Sequence, residues 1–489
     1  MQSTIRKNYL YNVSLQIFSL LMPLITTPYV ARALQPAGVG AYSYANSIAV
    51  FFSLLAGMGI SSYGLRELSR CRDDRERSVQ LFRELSRLRL LTTAAALVLY
   101  LVFVLLFGSS WRVYLACGLV ILSAGMDCNW YFQAKENFRI LMVRNFFIKA
   151  ATMVCILVFV REPGDLVLYI LFQGGGTLLS NGLLWLRLTR RMPRIPWRRL
   201  HIRRHFRGTL PYFIPSVATT VYTVLDRTMI GLITRDMEQN GYYDQASRII
   251  HILMAVITSL NVVVGVRTSY LFARNRKREI RQHLYDTFRF TYLLSFPMAA
   301  GLLACAPHFV PWFFGVGYDA VTPLLQALTP LLFIIGTSNV LGTLYLTPCG
   351  QRGRSNRAIV TGAVLNFLLN LILIPFLQAY GAVIASVAAE TVITLLYLYY
   401  CRRFVRLAQI LGLALRYFLL SAGMFVPVWL VGRACAPGLP GILLQIGTGM
   451  AVYAAGLILL RDPAWQEVRR FLHRRKKRGE VPPPEEEEP

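Results

Sequence analysis

Long hydrophobic stretches recur fourteen times along this chain, and short polar or charged connections separate them. About 20 apolar residues are enough to cross a lipid bilayer as one helix. A spanning segment must pair its own backbone polar groups, and a helix does so within the segment. The pattern therefore predicts an all-α polytopic membrane protein with 14 transmembrane helices.

Basic residues are concentrated on alternate connections between these stretches. Most of the 52 lysines and arginines lie at the N-terminus, on every second connection and in the C-terminal tail. Basic connections stay on the cytoplasmic side during insertion, so the pattern predicts that both termini are cytoplasmic. The net charge of +28 follows from this topology and from the anionic inner leaflet, and nucleic acid is not an expected partner.

The longest basic connection follows the sixth stretch and divides the chain. It predicts an N-terminal six-helix lobe at residues 1–187, a cytoplasmic linker at 188–209 and a C-terminal six-helix lobe at 210–401. Two additional helices are predicted at 402–461, before a cytoplasmic tail at 462–489. No connection is long enough for a folded soluble domain, so function is expected inside the membrane.

A short internal repeat supports this division. Gly40–Ile48 and Gly241–Ile249 share the pattern G-x-Y-x-x-A-x-x-I at the start of the second and eighth stretches. Six helices per lobe is an even number, so both lobes would have the same orientation. Two parallel lobes are a known architecture of transporters, with the substrate site between the repeats.

Polar side chains form stripes on the first and seventh stretches. Asn12 and Gln16 are four residues apart, which places them on one helix face, and Thr223 belongs to a similar stripe. Tight helix packing is one interpretation, because small and hydroxylated residues populate helix contacts in lipid. Their presence on two equivalent helices favours a water-filled central cavity.

Ionisable residues inside the predicted spans carry more information, because a charge in the bilayer is costly unless it is paired or hydrated. The candidates are Arg32, Asp127, Asp226, Arg227, Arg267 and Glu390. Interhelical ion pairs would explain several of them, and Arg32 could extend to the outer surface. An arginine that faces a cavity is instead suited to bidentate phosphate binding. Asp127, Asp226 and Glu390 would be coupling or structural carboxylates.

The chain has no motif for catalysis, a metal or a cofactor. It lacks a Walker A motif and H-E-x-x-H, and its 8 cysteines are scattered without a CxxC pair. It is therefore not expected to be an enzyme. Transport would depend on an ion gradient, the membrane potential or the substrate gradient.

Five segments of the chain resemble one family of transporters. They are Pro23–Ile48, Gly59–Arg70, Trp130–Asn145, Leu225–Ile249 and Asn366–Thr391. Together they resemble the Wzx-type oligosaccharide flippases, a branch of the multidrug/oligosaccharidyl-lipid/polysaccharide exporter superfamily. The resemblance extends over nearly the whole chain.

The resemblance implies a flippase of the bacterial cytoplasmic membrane with alternating access. Its substrate would be an undecaprenyl-pyrophosphate-linked oligosaccharide, moved to the outer leaflet for capsule, O-antigen or exopolysaccharide assembly. A polysaccharide polymerase and an initiating sugar-phosphate transferase would be its partners. Arginines would bind the pyrophosphate and polar side chains would bind the sugars: Arg32, Arg227 and Arg267, and Asn12, Gln16, Asn46 and Thr223.

Peptidoglycan-precursor flippases are similar too, but they carry a charged Arg-Asp pair in the first helix. Thr26 and Thr27 stand at that place here, which argues against lipid II as substrate.

Other functions remain as alternatives. A drug/cation antiporter of the same superfamily would use Asp127, Asp226 and Glu390 as its cation site. A membrane glycosyltransferase or polymerase would need a larger outer loop or a carboxylate-rich cytoplasmic site, and a scaffold would leave the polar stripes unexplained. The excess of arginine over carboxylate on the central helices favours an anionic substrate.

Overall fold

The computed structural model describes residues 2–108, 110–193, 195–196, 201–259, 261–274 and 276–463. It describes the backbone alone at residues 2–21, 215, 218–219, 221–222, 261–263 and 266–267. Almost all of the predicted cytoplasmic tail therefore lies outside the described residues.

The described chain is helical and contains no strand. Its α-helices are α1 (Gln2–Gly57), α2 (Ile60–Arg70), α3 (Arg75–Phe107), α4 (Trp111–Cys117), α5 (Leu119–Gly125), α6 (Asn129–Ala134), α7 (Phe138–Phe159), α8 (Leu166–Arg191), α9 (Ile202–Thr234), α10 (Met237–Ile257), α11 (Asn261–Ala273), α12 (Lys277–Phe314), α13 (Val321–Leu328), α14 (Leu331–Leu341), α15 (Arg352–Leu377), α16 (Ala379–Cys401), α17 (Leu407–Ala434) and α18 (Leu439–Leu459).

Eleven segments of the described chain are long and apolar enough to cross a membrane. The all-α polytopic class is therefore confirmed, whereas the number of 14 spans stays a prediction. One of the eleven segments is Met22–Arg70, which covers parts of two predicted spans. The sequence predicts a connection between these two spans around residues 35–41, and α1 has a kink there at Gln35, with φ 59° and ψ 169°, directly before Pro36. Helices α9, α10 and α11 are not among the eleven.

Helix α3 shows how the sequence sets a boundary and a lipid-facing surface. The Asp74 carboxylate accepts a hydrogen bond of 3.0 Å from the Arg77 amide, which caps the first turn. Farther along, Leu105, Leu106 and Phe107 are exposed, as expected of side chains that face lipid. The inward face carries Tyr100, whose hydroxyl donates to the Tyr114 carbonyl at 2.6 Å.

The helices divide into two compact units. The first unit contains Met1–Ile252, Phe313–Ala327 and Asn356–Val392. Within it, α1 packs against α3, α5, α7 and α9. This division describes packing rather than the internal repeat, so the two parallel six-helix lobes and their boundaries stay a prediction.

The second unit contains Leu253–Trp312, Leu328–Ser355 and Ile393–Pro489. Helices α17 and α18 pack against each other there. Asp462, which follows α18, connects the two helices: it lies 2.9 Å from the Arg416 guanidinium and accepts a hydrogen bond of 3.1 Å from the Tyr417 hydroxyl.

The two glycines of the internal repeat touch each other inside the first unit. A Cβ atom on Gly40 would lie 1.6 Å from the Met237 carbonyl oxygen and 2.7 Å from the Gly241 nitrogen. A Cβ atom on Gly241 would lie 2.2 Å from the Pro36 carbonyl oxygen and 3.2 Å from the Gly40 nitrogen. Only glycine fits at either position, so the backbones of α1 and α10 approach more closely here than side chains would allow.

Candidate functional site

Two arginines and one carboxylate meet where α9 and α10 pack together. The Arg227 Nε lies 2.9 Å from Asp244 Oδ1, although its N–H is not aligned for a hydrogen bond. Arg248 donates to the other oxygen, Oδ2, at 2.9 Å. Asp244 is only 3% exposed. Because two guanidinium groups share one carboxylate, this arginine cluster has a net charge of +1.

The local sequence explains how the arginine cluster is built. Asp244 and Arg248 are four residues apart on α10, so their side chains share one helix face. Asn240 donates from Nδ2 to the Arg227 carbonyl at 2.7 Å, which fixes the end of α9 against α10.

Asp226 precedes Arg227 but points into a different, uncharged environment. It accepts hydrogen bonds from the Tyr243 hydroxyl, from Ser386 Oγ at 2.5 Å and from Asn370 Nδ2 at 2.6 Å. Asp226 is buried, and none of the described lysine, arginine or histidine side chains lies within ion-pair distance of it. The alternative that Asp226 forms an ion pair with another helix is therefore wrong for the described residues.

The other two predicted carboxylates differ from Asp226. Glu390 is buried one turn after Ser386 on α16, and its side chain has an interaction partner there. Asp127 lies 3.4 Å from Arg89, which is 4% exposed. Ser61 bridges the two, because it donates to Asp127 at 2.9 Å and accepts from Arg89 at 2.7 Å. This geometry fits the structural alternative for Asp127.

The structure describes the side chains of only some of the remaining predicted ligands. Arg32 and Thr223 are exposed, and the Thr223 hydroxyl donates to the Thr220 carbonyl at 3.2 Å. Asn46 is half-buried on α1. The side chains of Asn12, Gln16 and Arg267 lie outside the described residues. Of the three arginines predicted to bind pyrophosphate, the structure therefore places Arg227 alone in this cluster.

A cavity of about 340 Å³ lies within the first unit between α1, α6, α7 and α8. Most of its polar lining comes from α7 and α8. Arg144 and Lys149 contribute positive charge, and none of its described lining residues is Asp or Glu. Its volume falls within the range of about 300–1,000 Å³ typical of small-molecule sites.

Several of the charged residues described above were not predicted as site residues. Asp244 and Arg248 have the four-residue spacing of a helical ion pair, which was a usable signal. Arg144 lies in a basic connection of the sequence, where a topological role explains it equally well. Nothing in its local pattern indicates a cavity.

Solved structures of transporters share this fold. The structure matches "Lipid II flippase MurJ, inward closed conformation" with a TM-score of 0.72 and 17% identity, covering 93% of this chain and 99% of that one. It matches an inward-facing multidrug resistance MATE family transporter of the MOP superfamily with a TM-score of 0.58 and 13% identity, covering 81% and 98%. The chain is thus a polytopic membrane protein with the fold of this class of transporters.

The sequence identifies the family more narrowly. A family model described as "Polysaccharide biosynthesis protein" matches residues 5–266, which is more than half of the chain. The chain belongs to this family, as the resemblance in its sequence predicted.

Individual relatives cover most of the chain. A protein of Escherichia coli strain K12, provisionally named an O-antigen transporter, is 21% identical over 82% of this chain and 97% of its own length. A protein of Haloferax volcanii, provisionally named the low-salt glycan biosynthesis flippase Agl15, is 24% identical over 53% of this chain and 55% of its own length.

Proposed function

We propose that this protein is a flippase for a lipid-linked oligosaccharide, acting as a transporter rather than an enzyme. The substrate would be an undecaprenyl-pyrophosphate-linked repeat unit, moved from the inner to the outer leaflet by alternating access. Capsule, O-antigen or exopolysaccharide assembly would use the product. The family membership and the relatives named for O-antigen transport and glycan flipping support this proposal.

The observation that carries the proposal is the excess positive charge of the arginine cluster. Asp244 neutralises one of the two guanidinium groups, and one positive charge is left over in a largely buried place. A pyrophosphate offers acceptor oxygens and negative charge, which arginine binds through charge-assisted hydrogen bonds. Arg32 and Arg267 are proposed as further phosphate-binding arginines, and Asn12, Gln16, Asn46 and Thr223 are proposed to bind sugar hydroxyls.

The setting of this activity follows from the same proposal. The protein would lie in a bacterial cytoplasmic membrane with both termini in the cytoplasm. An initiating sugar-phosphate transferase would work before it, and a polysaccharide polymerase would work after it. Lipid II is not the proposed substrate, because Thr26 and Thr27 stand where its flippases have a charged pair.

The test is translocation in liposomes. The purified protein is reconstituted with a fluorescent undecaprenyl-pyrophosphate oligosaccharide, and a membrane-impermeant reagent reports how much reaches the opposite leaflet. We expect protein-dependent movement. Arg227→Ala should lower the rate by about one to two orders of magnitude, because a charge-assisted hydrogen bond contributes about 1.5–3 kcal/mol. Arg267→Ala should lower it as well, and both variants should insert normally.

Arg235→Ala is the matched control, because Arg235 is exposed at the end of the same helix, α9. It should translocate like the unmodified protein. Unchanged translocation in both Arg227→Ala and Arg267→Ala would disprove the pyrophosphate site.

A drug/cation antiporter remains the second candidate because of one observation. Asp226 is a buried carboxylate held by neutral donors, which is what a proton or cation site requires. If no lipid-linked sugar moves, with or without an imposed proton or sodium gradient, the antiporter becomes the better proposal.

A further inference from the structure

The cavity between α1, α6, α7 and α8 has a chemistry that the arginine cluster does not explain. At its centre, Arg144 is held by neutral acceptors. Its Nη1 donates to the Ser180 carbonyl at 3.0 Å, and its Nη2 donates to Asn129 Oδ1 at 3.0 Å and Asn145 Oδ1 at 2.6 Å. No described carboxylate lies within ion-pair distance of Arg144, so its charge is not neutralised by the described chain.

Arg144 also fixes the orientation of two carboxamide groups. A guanidinium group can only donate hydrogen bonds, so Asn129 and Asn145 must turn their oxygens toward it. The Ser180 hydroxyl reinforces this orientation with a bond of 3.3 Å to Asn145 Oδ1. Both Nδ2 groups therefore point away from Arg144, and neither donates to a described residue. Both asparagines line the cavity.

The charge of the cavity is positive on balance. Lys149 lines it on the same helix as Arg144. The nearest carboxylate along the chain from Asn129 is Asp127, which is held by Arg89 and Ser61. A positive site with unused N–H donors is complementary to a ligand that has a negative charge and several acceptor oxygens.

The rest of the lining suits a sugar ring. Hydroxyl and carboxamide groups of Thr26, Thr152, Gln173 and Asn181 can exchange hydrogen bonds with ring hydroxyls, and Met22 and Ile156 offer apolar surface. The volume of about 340 Å³ is at the small end for ligand sites, which fits a single ring better than a long chain.

We propose that this cavity binds an acidic sugar, a pyranose ring that carries one carboxylate. The carboxylate lies against the Nη1 edge of the Arg144 guanidinium, which makes one hydrogen bond to the described chain, and the Nδ2 groups of Asn129 and Asn145 donate to hydroxyls of the ring. The inference rests on the proposed function, because an acidic residue of the transported glycan is the sugar that would reach this cavity. It adds a recognition site for the glycan, apart from the arginine cluster that is proposed for the pyrophosphate.

The experiment measures binding without transport. The full-length protein is placed in lipid nanodiscs and titrated with methyl β-glucuronide and, in parallel, with methyl β-glucoside, a neutral sugar with the same ring. Saturation-transfer NMR gives both dissociation constants. We expect the glucuronide to bind at least about tenfold more tightly, and Arg144→Gln to remove that preference.

Two further variants keep the test decisive if Arg144→Gln does not fold. Asn145→Asp keeps the size of the side chain but places a carboxylate 2.6 Å from the guanidinium, so it should abolish glucuronide binding. Arg139→Gln removes an exposed arginine from the same helix, outside the cavity, and should change nothing. Equal affinity for the two sugars, or unchanged glucuronide affinity in Asn145→Asp, overturns the inference.

The outcome also separates this inference from the proposed function. Fluorescent carrier lipids with an acidic or a neutral oligosaccharide are compared in the liposome assay. Movement of both at equal rates, without glucuronide binding, removes the acidic-sugar site and leaves the flippase proposal intact. Glucuronide binding without movement of either carrier supports the site and contradicts the flippase proposal.

Discussion

Asp226 and Asp244 are both buried in the first unit, yet their partners have opposite electrical character. Asp244 lies between the guanidinium groups of Arg227 and Arg248. Asp226 is surrounded by the neutral donors of Tyr243, Ser386 and Asn370. The negative charge of Asp244 is needed in the folded protein, because without it two largely buried guanidinium groups would have no counter-ion. Asp226 is instead held by hydrogen bonds from neutral groups, and no described cation depends on its charge.

Asp244→Asn should produce the largest loss of stability. The substitution leaves two arginines without a counter-charge, and breaking a buried ion pair costs about 3–5 kcal/mol. Thermal unfolding of the detergent-solubilised protein measures the effect. Asp319→Asn is the control, because Asp319 is an exposed carboxylate of the same unit.

The contrast between Asp244 and Asp226 is contradicted if the Asp244→Asn and Asp319→Asn variants unfold at the same temperature. That result would mean that Asp244 contributes no more than an exposed carboxylate and is not a structural ion pair.

Asp226→Asn should destabilise the protein less than Asp244→Asn. It should have a larger effect on the coupling of translocation to an ion gradient. The amide keeps one oxygen acceptor, so one or two of the three donors lose their partner, at about 1–3 kcal/mol. Because the variant lacks the negative charge that would attract a coupling cation, translocation should no longer respond to an imposed proton or sodium gradient. The liposome assay, run with and without each gradient, measures this response.

An unchanged gradient response in a folded Asp226→Asn protein would assign Asp226 to a structural role. The contrast between the two carboxylates would then be one of packing alone.

Glu67→Gln should have the smallest effect on stability of the three substitutions. It shows how much an exposed carboxylate contributes, for comparison with the buried Asp226 and Asp244. Glu67 lies 3.0 Å from Arg70, but their side chains are 31% and 60% exposed. Exposed pairs contribute about 0–1 kcal/mol, because water screens them. Thermal unfolding should show a shift near zero, and a shift as large as that of Asp244→Asn would mean that burial does not separate these sites.

The polytopic helical class could be predicted from hydropathy, since lipid permits few other structures. The connection near Gln35 was placed correctly, but its form as a kink could not be predicted. A positive φ at glutamine and a following proline are set by the packing of the whole helix.

The candidate site was predictable in part. Charge in an apolar segment identified Asp226 and Arg227, and their adjacent positions on a helix place their side chains in different directions. Their partners could not be predicted, because Asn370 and Ser386 lie on helices distant in sequence. Arg144 was not predicted for a related reason. In the sequence alone, it resembles any basic residue of a predicted cytoplasmic connection.

The contact between Gly40 and Gly241 has a consequence for how such a chain could arise. The two residues hold equivalent positions in the repeat, and equivalent positions meet each other only on the axis of a symmetric pair. If the two halves were once separate copies of one chain, this glycine of one subunit would have contacted the same glycine of the other subunit in an ancestral homodimer. One substitution there would have changed both sides of the contact in the homodimer, whereas in the fused chain one substitution changes one side, although both sides still require glycine.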